Sequence, residues 1–131
     1  MKPAWIIDDD GEMAYAVSLM LKLMGYKPEI FLDPRKAMHA LLAGRPLDLM
    51  ILDMNMPGVT GIDVLEFVRG RPQWQRIPIV ILSVETADIV QDEAMTHGAD
   101  AYLFKPMTLD EMEHAVAAAI LHRLEVLARR G

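Results

Sequence analysis

Four aspartates, a serine and a lysine stand where they could act together. Asp8, Asp9 and Asp10 follow the short apolar run Ala4–Ile7, and Asp53 follows Leu49–Leu52. Ser83 follows Ile77–Leu82, and Lys105-Pro106 follows Ala101–Phe104. If the first and third runs lie side by side, at least three carboxylates converge. Like charges at that range repel and raise one another's pKa unless a cation neutralises them. Magnesium is the natural neutraliser, because it takes one or two carboxylates and keeps waters that a phosphate can replace. Lys105 adds a positive point charge and Ser83 a hydroxyl. Together these groups suit an anion with several oxygens, a phosphoryl group above all. A carboxylate can also be the nucleophile that receives it, forming an aspartyl-phosphate.

The elements that must position these residues can be read from the pattern. Five apolar runs, Ala4–Ile7, Lys27–Phe31, Leu49–Leu52, Ile77–Leu82 and Ala101–Phe104, alternate with longer amphipathic stretches. Leu49–Leu52 is apolar throughout and Ile77–Leu82 nearly so, as strands buried on both faces of a parallel sheet are. Met13, Ala16, Val17, Met20, Leu21 and Met24 recur at helical spacing before Gly25. Asp33-Pro34 reads as an N-cap and first-turn proline, with Gly44 at the far end. Helices over about Thr60–Arg69 and Ala87–His97 stop at Gly70 and Gly98, and Thr108-Leu109-Asp110-Glu111 opens the last with a capping box. The order βαβαβαβαβα implies a parallel α/β sheet with right-handed crossovers and helices on both faces. In such a sheet the functional crevice lies beyond the carboxyl ends of the strands. A lone aspartate after a strand is ordinarily a cap, and Asp10 is read as that one.

Composition narrows the classes. The chain has 131 residues, the size of one domain, and 53% of them are hydrophobic, which excludes intrinsic disorder. Nineteen acidic against thirteen basic residues leave a net charge of −6, which argues against direct nucleic-acid binding. With no cysteine, disulfide scaffolds, thiol catalysis and cysteine-bound zinc are excluded. No apolar run approaches the ~20 residues of a membrane helix, and the N-terminus turns acidic too early for a signal peptide. A cytoplasmic protein without membrane association is expected.

The chain resembles the receiver domains of two-component response regulators, in particular chemotaxis-type receivers. The resemblance rests on Ile6-Ile7-Asp8-Asp9-Asp10, Leu52-Asp53-Met54-Asn55-Met56-Pro57-Gly58 with Gly61, Ile79–Ser83, Gly98-Ala99-Asp100-Ala101 and Tyr102-Leu103-Phe104-Lys105-Pro106. It implies a flavodoxin-like, doubly wound, five-stranded parallel sheet of order 2-1-3-4-5 with five helices, one receiver domain over 1–131. It also implies that Asp53 accepts the phosphoryl group and, with Asp8, Asp9 and the backbone carbonyl of Asn55, holds Mg²⁺ (Mn²⁺ as a substitute). Lys105 pairs with Asp53 or the phosphoryl oxygens. Ser83 moves toward the phosphoryl group, and Tyr102 turns inward in response. That switches the surface of the fourth helix, fifth strand and fifth helix. The Lys105–Pro106 bond is expected to be cis. Asn55 and Glu85 tune hydrolysis, in a combination resembling that of short-lived receivers. The donor is a sensor histidine kinase or a phosphotransfer protein, and the output is a protein target. Beyond its own phosphorylation and dephosphorylation no catalysis is implied.

Two other readings compete. Ile6-Ile7-Asp8-Asp9-Asp10-Gly11 is similar to the first motif of haloacid-dehalogenase-type phosphatases, in which Asp8 and Asp10 would be nucleophile and acid. Their late acidic motif is missing, however, and Asp53 would be unexplained. A receiver-like interaction module that is never phosphorylated is disfavoured by the intact set of Asp8, Asp9, Asp53, Ser83 and Lys105. The receiver pattern fills nearly the whole length, leaving no room for an output domain within these residues.

The last helix, about 108–129, is longer than one sheet face requires. Met112, Val116, Ile120 and Leu127 form one apolar stripe, expected to pack on the sheet. Ala117, Leu121, Leu124 and Ala128 form a second, which suits a monomer with an incidental surface stripe or a weak dimer through this helix.

Overall fold

The computed structural model describes residues 1–130; Gly131, the last residue of the expected domain, lies outside the described residues. The chain runs β1 (Lys2–Ile7), α1 (Gly11–Leu23), β2 (Tyr26–Phe31), α2 (Pro34–Leu42), β3 (Leu49–Asp53), α3 (Gly61–Arg69), β4 (Ile79–Ser83), α4 (Asp88–Thr96), β5 (Ala101–Phe104) and α5 (Leu109–Arg130). All neighbouring strands are parallel, in the order β2-β1-β3-β4-β5. This is the flavodoxin-like sheet that the resemblance implies. Among the described residues no helix is long and apolar enough to cross a membrane.

Alternation along the strands divides the core in two, because successive side chains point to opposite faces. Trp5, Ile7, Met50, Leu52, Ile79 and Ile81 pack with Val64, Leu65 and Val68 of α3 and Ala94 of α4. Ala4, Ile6, Leu49, Ile51, Val80 and Leu82 pack with Ala14, Val17 and Leu21 of α1 and Met112, Val116 and Ala119 of α5. Every residue of β3 and β4 is buried, as the unbroken apolar runs require. Pro28 is tolerated because β2 pairs only with β1, leaving an edge that needs no donor.

Several local details differ from the sequence-based expectations. β4 starts at Ile79 rather than Ile77. The Ile77 N–H bonds Trp74 O at 3.2 Å, its carbonyl accepts from Arg69, and Pro78 has no N–H to give. A 3-10 turn, Pro72–Trp74, precedes that strand and buries Trp74 against Phe67. Gly70 keeps a right-handed φ of −74°, because the chain continues into this turn rather than reversing. On α5 the face against the sheet is Met112, Ala115, Val116, Ala119 and Arg123; Ile120 is 37% exposed, since a step of four from Val116 rotates it off that face. On α1, Ala16 is exposed and Ala14, Val17 and Leu21 carry the contact.

Candidate functional site

The site at the carboxyl edge of the sheet is built by four strand ends, those of β1, β3, β4 and β5. Asp8 follows β1 directly, and its N–H bonds Phe31 O at 3.1 Å, extending the β1–β2 ladder by one rung. Asp10 caps α1, its side chain accepting from the N–H groups of Glu12 and Met13 at 3.1 and 3.2 Å. With that carboxylate committed, the phosphatase reading loses its acid. The Asp10 backbone contributes differently: its N–H bonds Asp8 Oδ1 at 3.0 Å and orients that side chain. This orienting bond is not legible from residue types; the only signal is the two-residue spacing of an Asx turn.

Asp53 is the last residue of β3, opposite Leu82 of β4. The loop after it returns at once, the Gly61 N–H bonding Met54 O at 2.8 Å. A Cβ at Gly61 would lie 2.9 Å from Asp53 O and 2.9 Å from Met54 Cα, so only glycine lets α3 start this close to the end of β3. Met54 and Met56 are buried on either side of exposed Asn55 and pin the loop to the core.

Ser83 ends β4, and its carbonyl accepts the Lys105 N–H at 2.9 Å, which hangs the lysine beside it. The next peptide bond, Lys105–Pro106, is cis. The Lys105 ammonium lies 2.9 Å from Asp53 Oδ1 and 3.1 Å from Asp8 Oδ2. Asp8, Asp9 and Asp53 each offer a carboxylate oxygen, all within 4.8 Å of one another. The six candidates therefore resolve into four whose side chains converge (Asp8, Asp9, Asp53 and Lys105), Ser83 at the end of the neighbouring strand with its hydroxyl bonded to the Glu85 N–H, and Asp10, which caps. Tyr102 and Glu85 form an adjoining link. The Glu85 N–H bonds Ser83 Oγ at 3.0 Å, while the Glu85 carbonyl accepts from the Tyr102 hydroxyl at 3.0 Å. One residue, Glu85, thus connects the serine to the tyrosine through the two peptide units that flank it.

Charge at this edge is unbalanced. Three carboxylates face one ammonium, an excess of two negative charges. Burial raises the Asp53 carboxyl to about 6; Lys105 opposes the rise through its hydrogen bond, and Asp8 and Asp9 add to it. Burial would lower Lys105, but its bonds to Asp53 and Asp8 outweigh this and hold it above the ordinary lysine value. The donor set fits a hard divalent cation: oxygen ligands only, a surplus of two charges, and Asp9 exposed at the mouth. Among the described residues Asp53 Oδ2 has no donor, and it keeps contact with solvent, so it is open to a ligand.

The family model described as the response regulator receiver domain matches residues 4–117. Protein RcaC of Microchaete diplosiphon is 37% identical over 120 residues, covering 92% of this chain and 18% of that protein. The transcriptional regulatory protein QseB of Escherichia coli O157:H7 is 37% identical over 125 residues, 95% of this chain and 52% of that protein. This chain therefore spans about half or less of these relatives. Among solved structures, the chemotaxis protein CheY4 of Vibrio cholerae superposes with a TM-score of 0.82 at 29% identity, covering 91% of this chain and 98% of that one.

Proposed function

Since the chain belongs to the response regulator receiver family, whose domains are signalling modules of two-component systems, we propose that Asp53 accepts a phosphoryl group from a phosphohistidine of a sensor histidine kinase or phosphotransfer protein. The observation that carries this reading is the pairing at Asp53: one carboxylate oxygen held by Lys105, the other open, with Asp8 and Asp9 alongside. In the transfer Asp53 Oδ2 attacks phosphorus, a P–O bond forms, the P–N bond breaks, and the released imidazole nitrogen takes up a proton. Asp8, Asp9, Asp53 and the backbone carbonyl of Asn55 would hold Mg²⁺, or Mn²⁺ in its place, which when bound neutralises the phosphoryl oxygens and the surplus carboxylate charge. Lys105 orients Asp53 before transfer and pairs with a phosphoryl oxygen after it.

The switch follows from the Glu85 backbone. When the Ser83 hydroxyl turns to the phosphoryl group it leaves the Glu85 N–H, so the loop carrying the Tyr102 anchor is free to shift. A local hydrogen-bond exchange then biases two conformations of the surface formed by α4, β5 and α5. That surface meets a downstream protein. Asn55 and exposed Glu85 border the approach of the hydrolytic water, and their combination favours a short-lived phosphoryl group.

The test is incubation with acetyl phosphate and Mg²⁺, read by intact-protein mass spectrometry. The wild type gains one phosphoryl mass, and Asp53→Asn gains none. Undiminished labelling of Asp53→Asn would overturn the assignment.

A further inference from the structure

A second charged cleft lies at the amino edge of the sheet, away from Asp53. Residues 69–76 carry three arginines and no acid, and α5 ends in Arg129 and Arg130. Folding brings these segments together. Arg69, Arg71, Gln75 and Arg130 line one cleft of about 200 Å³, and among the described residues no carboxylate lines it. Asp100, behind the cleft, is already committed to Arg69 at 2.8 Å and Arg123 at 2.9 Å. Four guanidiniums thus share one carboxylate, a local excess of three positive charges in a chain whose net charge is −6.

Arg71 and Arg130 are braced by neutral groups. The Arg71 guanidinium lies 5.3 Å from the centre of the Phe67 ring and 5.5 Å from that of Trp74, so two rings fix its position. Arg130 Nη1 donates to Gln75 Oε1 at 2.9 Å, and Gln75 Nε2 donates to the carbonyls of Arg69 and Arg71 at 2.7 and 3.0 Å. One amide therefore ties Arg130 to the turn that carries Arg71. Among the described residues neither arginine has an ion-pair partner. Arg69 differs, because Gly98, Trp74, Ile77 and Asp100 already engage its three nitrogens. It supplies charge at the floor of the cleft.

Two guanidiniums ordered before a ligand arrives reduce the entropy lost on binding one. Their planar forks match phosphate oxygens two bonds at a time. Two forks above a charged floor suit two linked phosphoryl groups. The cleft is smaller than the ~300–1,000 Å³ pocket of a drug-sized molecule, so it suits a diphosphate group rather than a peptide segment. We propose that this cleft is an anion site that binds a diphosphate group through Arg71 and Arg130, with Arg69 beneath. It shares no residue with the carboxylate cluster, so it stands whether or not Asp53 accepts a phosphoryl group.

The test is titration of pyrophosphate into the Mg²⁺-free protein at low ionic strength, followed by amide NMR and by melting temperature. The signals of Gly70, Arg71 and Gln75 should shift saturably while those of Asp53 and Lys105 stay in place, and the melting temperature should rise. Arg71→Gln and Arg130→Gln should each weaken binding about tenfold, the loss of one charge-assisted pair, with unchanged circular dichroism. Arg35→Gln removes the same charge at the opposite edge and should bind as the wild type does. A parallel titration with ADP separates the two sources of the group: binding of ADP supports a nucleoside diphosphate, and binding of pyrophosphate alone supports a free one. Absence of saturable shifts at millimolar pyrophosphate, the same shifts from sodium chloride at matched ionic strength, or wild-type affinity in both glutamine variants would each overturn the proposal. So would tighter binding of a duplex oligonucleotide, which would make the patch a nucleic-acid surface.

Discussion

Two carboxylate clusters occupy opposite edges of the sheet and are built on opposite principles. At the carboxyl edge, Asp8, Asp9 and Asp53 share the single cation Lys105. At the amino edge, Asp100 alone receives four donors. Arg69 Nη2 and the Ile79 N–H each lie 2.8 Å from its Oδ2. Arg123 Nε lies 2.9 Å and His122 Nδ1 2.7 Å from its Oδ1. Arg69 also donates to the carbonyls of Gly98, Trp74 and Ile77, and Arg123 to that of Gln75. The first cluster has acceptors to spare and the second has donors to spare. The saturated cluster pins α3, the 3-10 turn, β4, β5 and α5 together. The unsaturated one keeps oxygens free for a ligand. Local rules are satisfied where the fold needs holding and relaxed where chemistry is to happen.

The sharpest way to break the contrast is Asp100→Asn, which leaves Arg69 and Arg123 buried with no counter-charge. Burial already pulls Arg69 down to about 10, with Asp100 opposing that and Arg123 and Arg130 adding to it. Removing one partner of such a buried set costs about 3–5 kcal/mol. Urea unfolding should show that loss, and a variant within 1 kcal/mol of wild type would mean the cluster is not what holds this edge.

The corresponding neutralisation at the other edge should act with the opposite sign. The Asp53 carboxyl is raised from its ordinary 3.8 to about 6. Its contribution to stability is thus fully present below the unfolded value and is lost as pH rises through the folded one. Without divalent ions, wild-type stability should fall from pH 4 to 7 relative to Asp53→Asn. After allowance for solvent screening the variant should be about 1–2 kcal/mol the more stable at pH 7. Adding Mg²⁺ at ten times its dissociation constant should return about 1.4 kcal/mol to the wild type. Thermal melts in EDTA and in Mg²⁺ check both halves, and identical pH profiles for the two proteins would remove the idea of stored charge strain.

The smallest expected effect separates Asp10 from its neighbours. Asp10→Ala should lower stability by about 1 kcal/mol through the lost cap, as read by the urea midpoint, yet leave acetyl-phosphate labelling intact because the backbone N–H that holds Asp8 remains. Loss of labelling would move Asp10 into the site.

What was legible in the sequence follows the same division. Strands buried on both faces announce themselves as apolar runs, and a parallel sheet brings their carboxyl ends to one edge. Asp8, Asp53, Ser83 and Lys105 could therefore be grouped without coordinates. The Asp100 cluster leaves no such trace. Arg123 stands in mid-helix like any solvated arginine, and Arg69 lies 31 residues from Asp100. Only the meeting of α3 and α5 below β5 reveals them as partners. The face of α5 is legible only in part for a related reason: Met112 and Val116 lie on it as expected, but the sheet's position leaves Ile120 outside and brings Arg123 inside.

The tight seating of Gly61 against Asp53 and Met54 has a bearing on protein engineering. The stretch from Leu52 to Gly58 looks like a portable cassette, but its shape is set by where the next helix begins. Transplanting this loop into another scaffold calls for the whole strand–loop–helix junction from Leu49 through Gly61, because a host that offers alanine at the last position would push the helix outward and misalign Asp53.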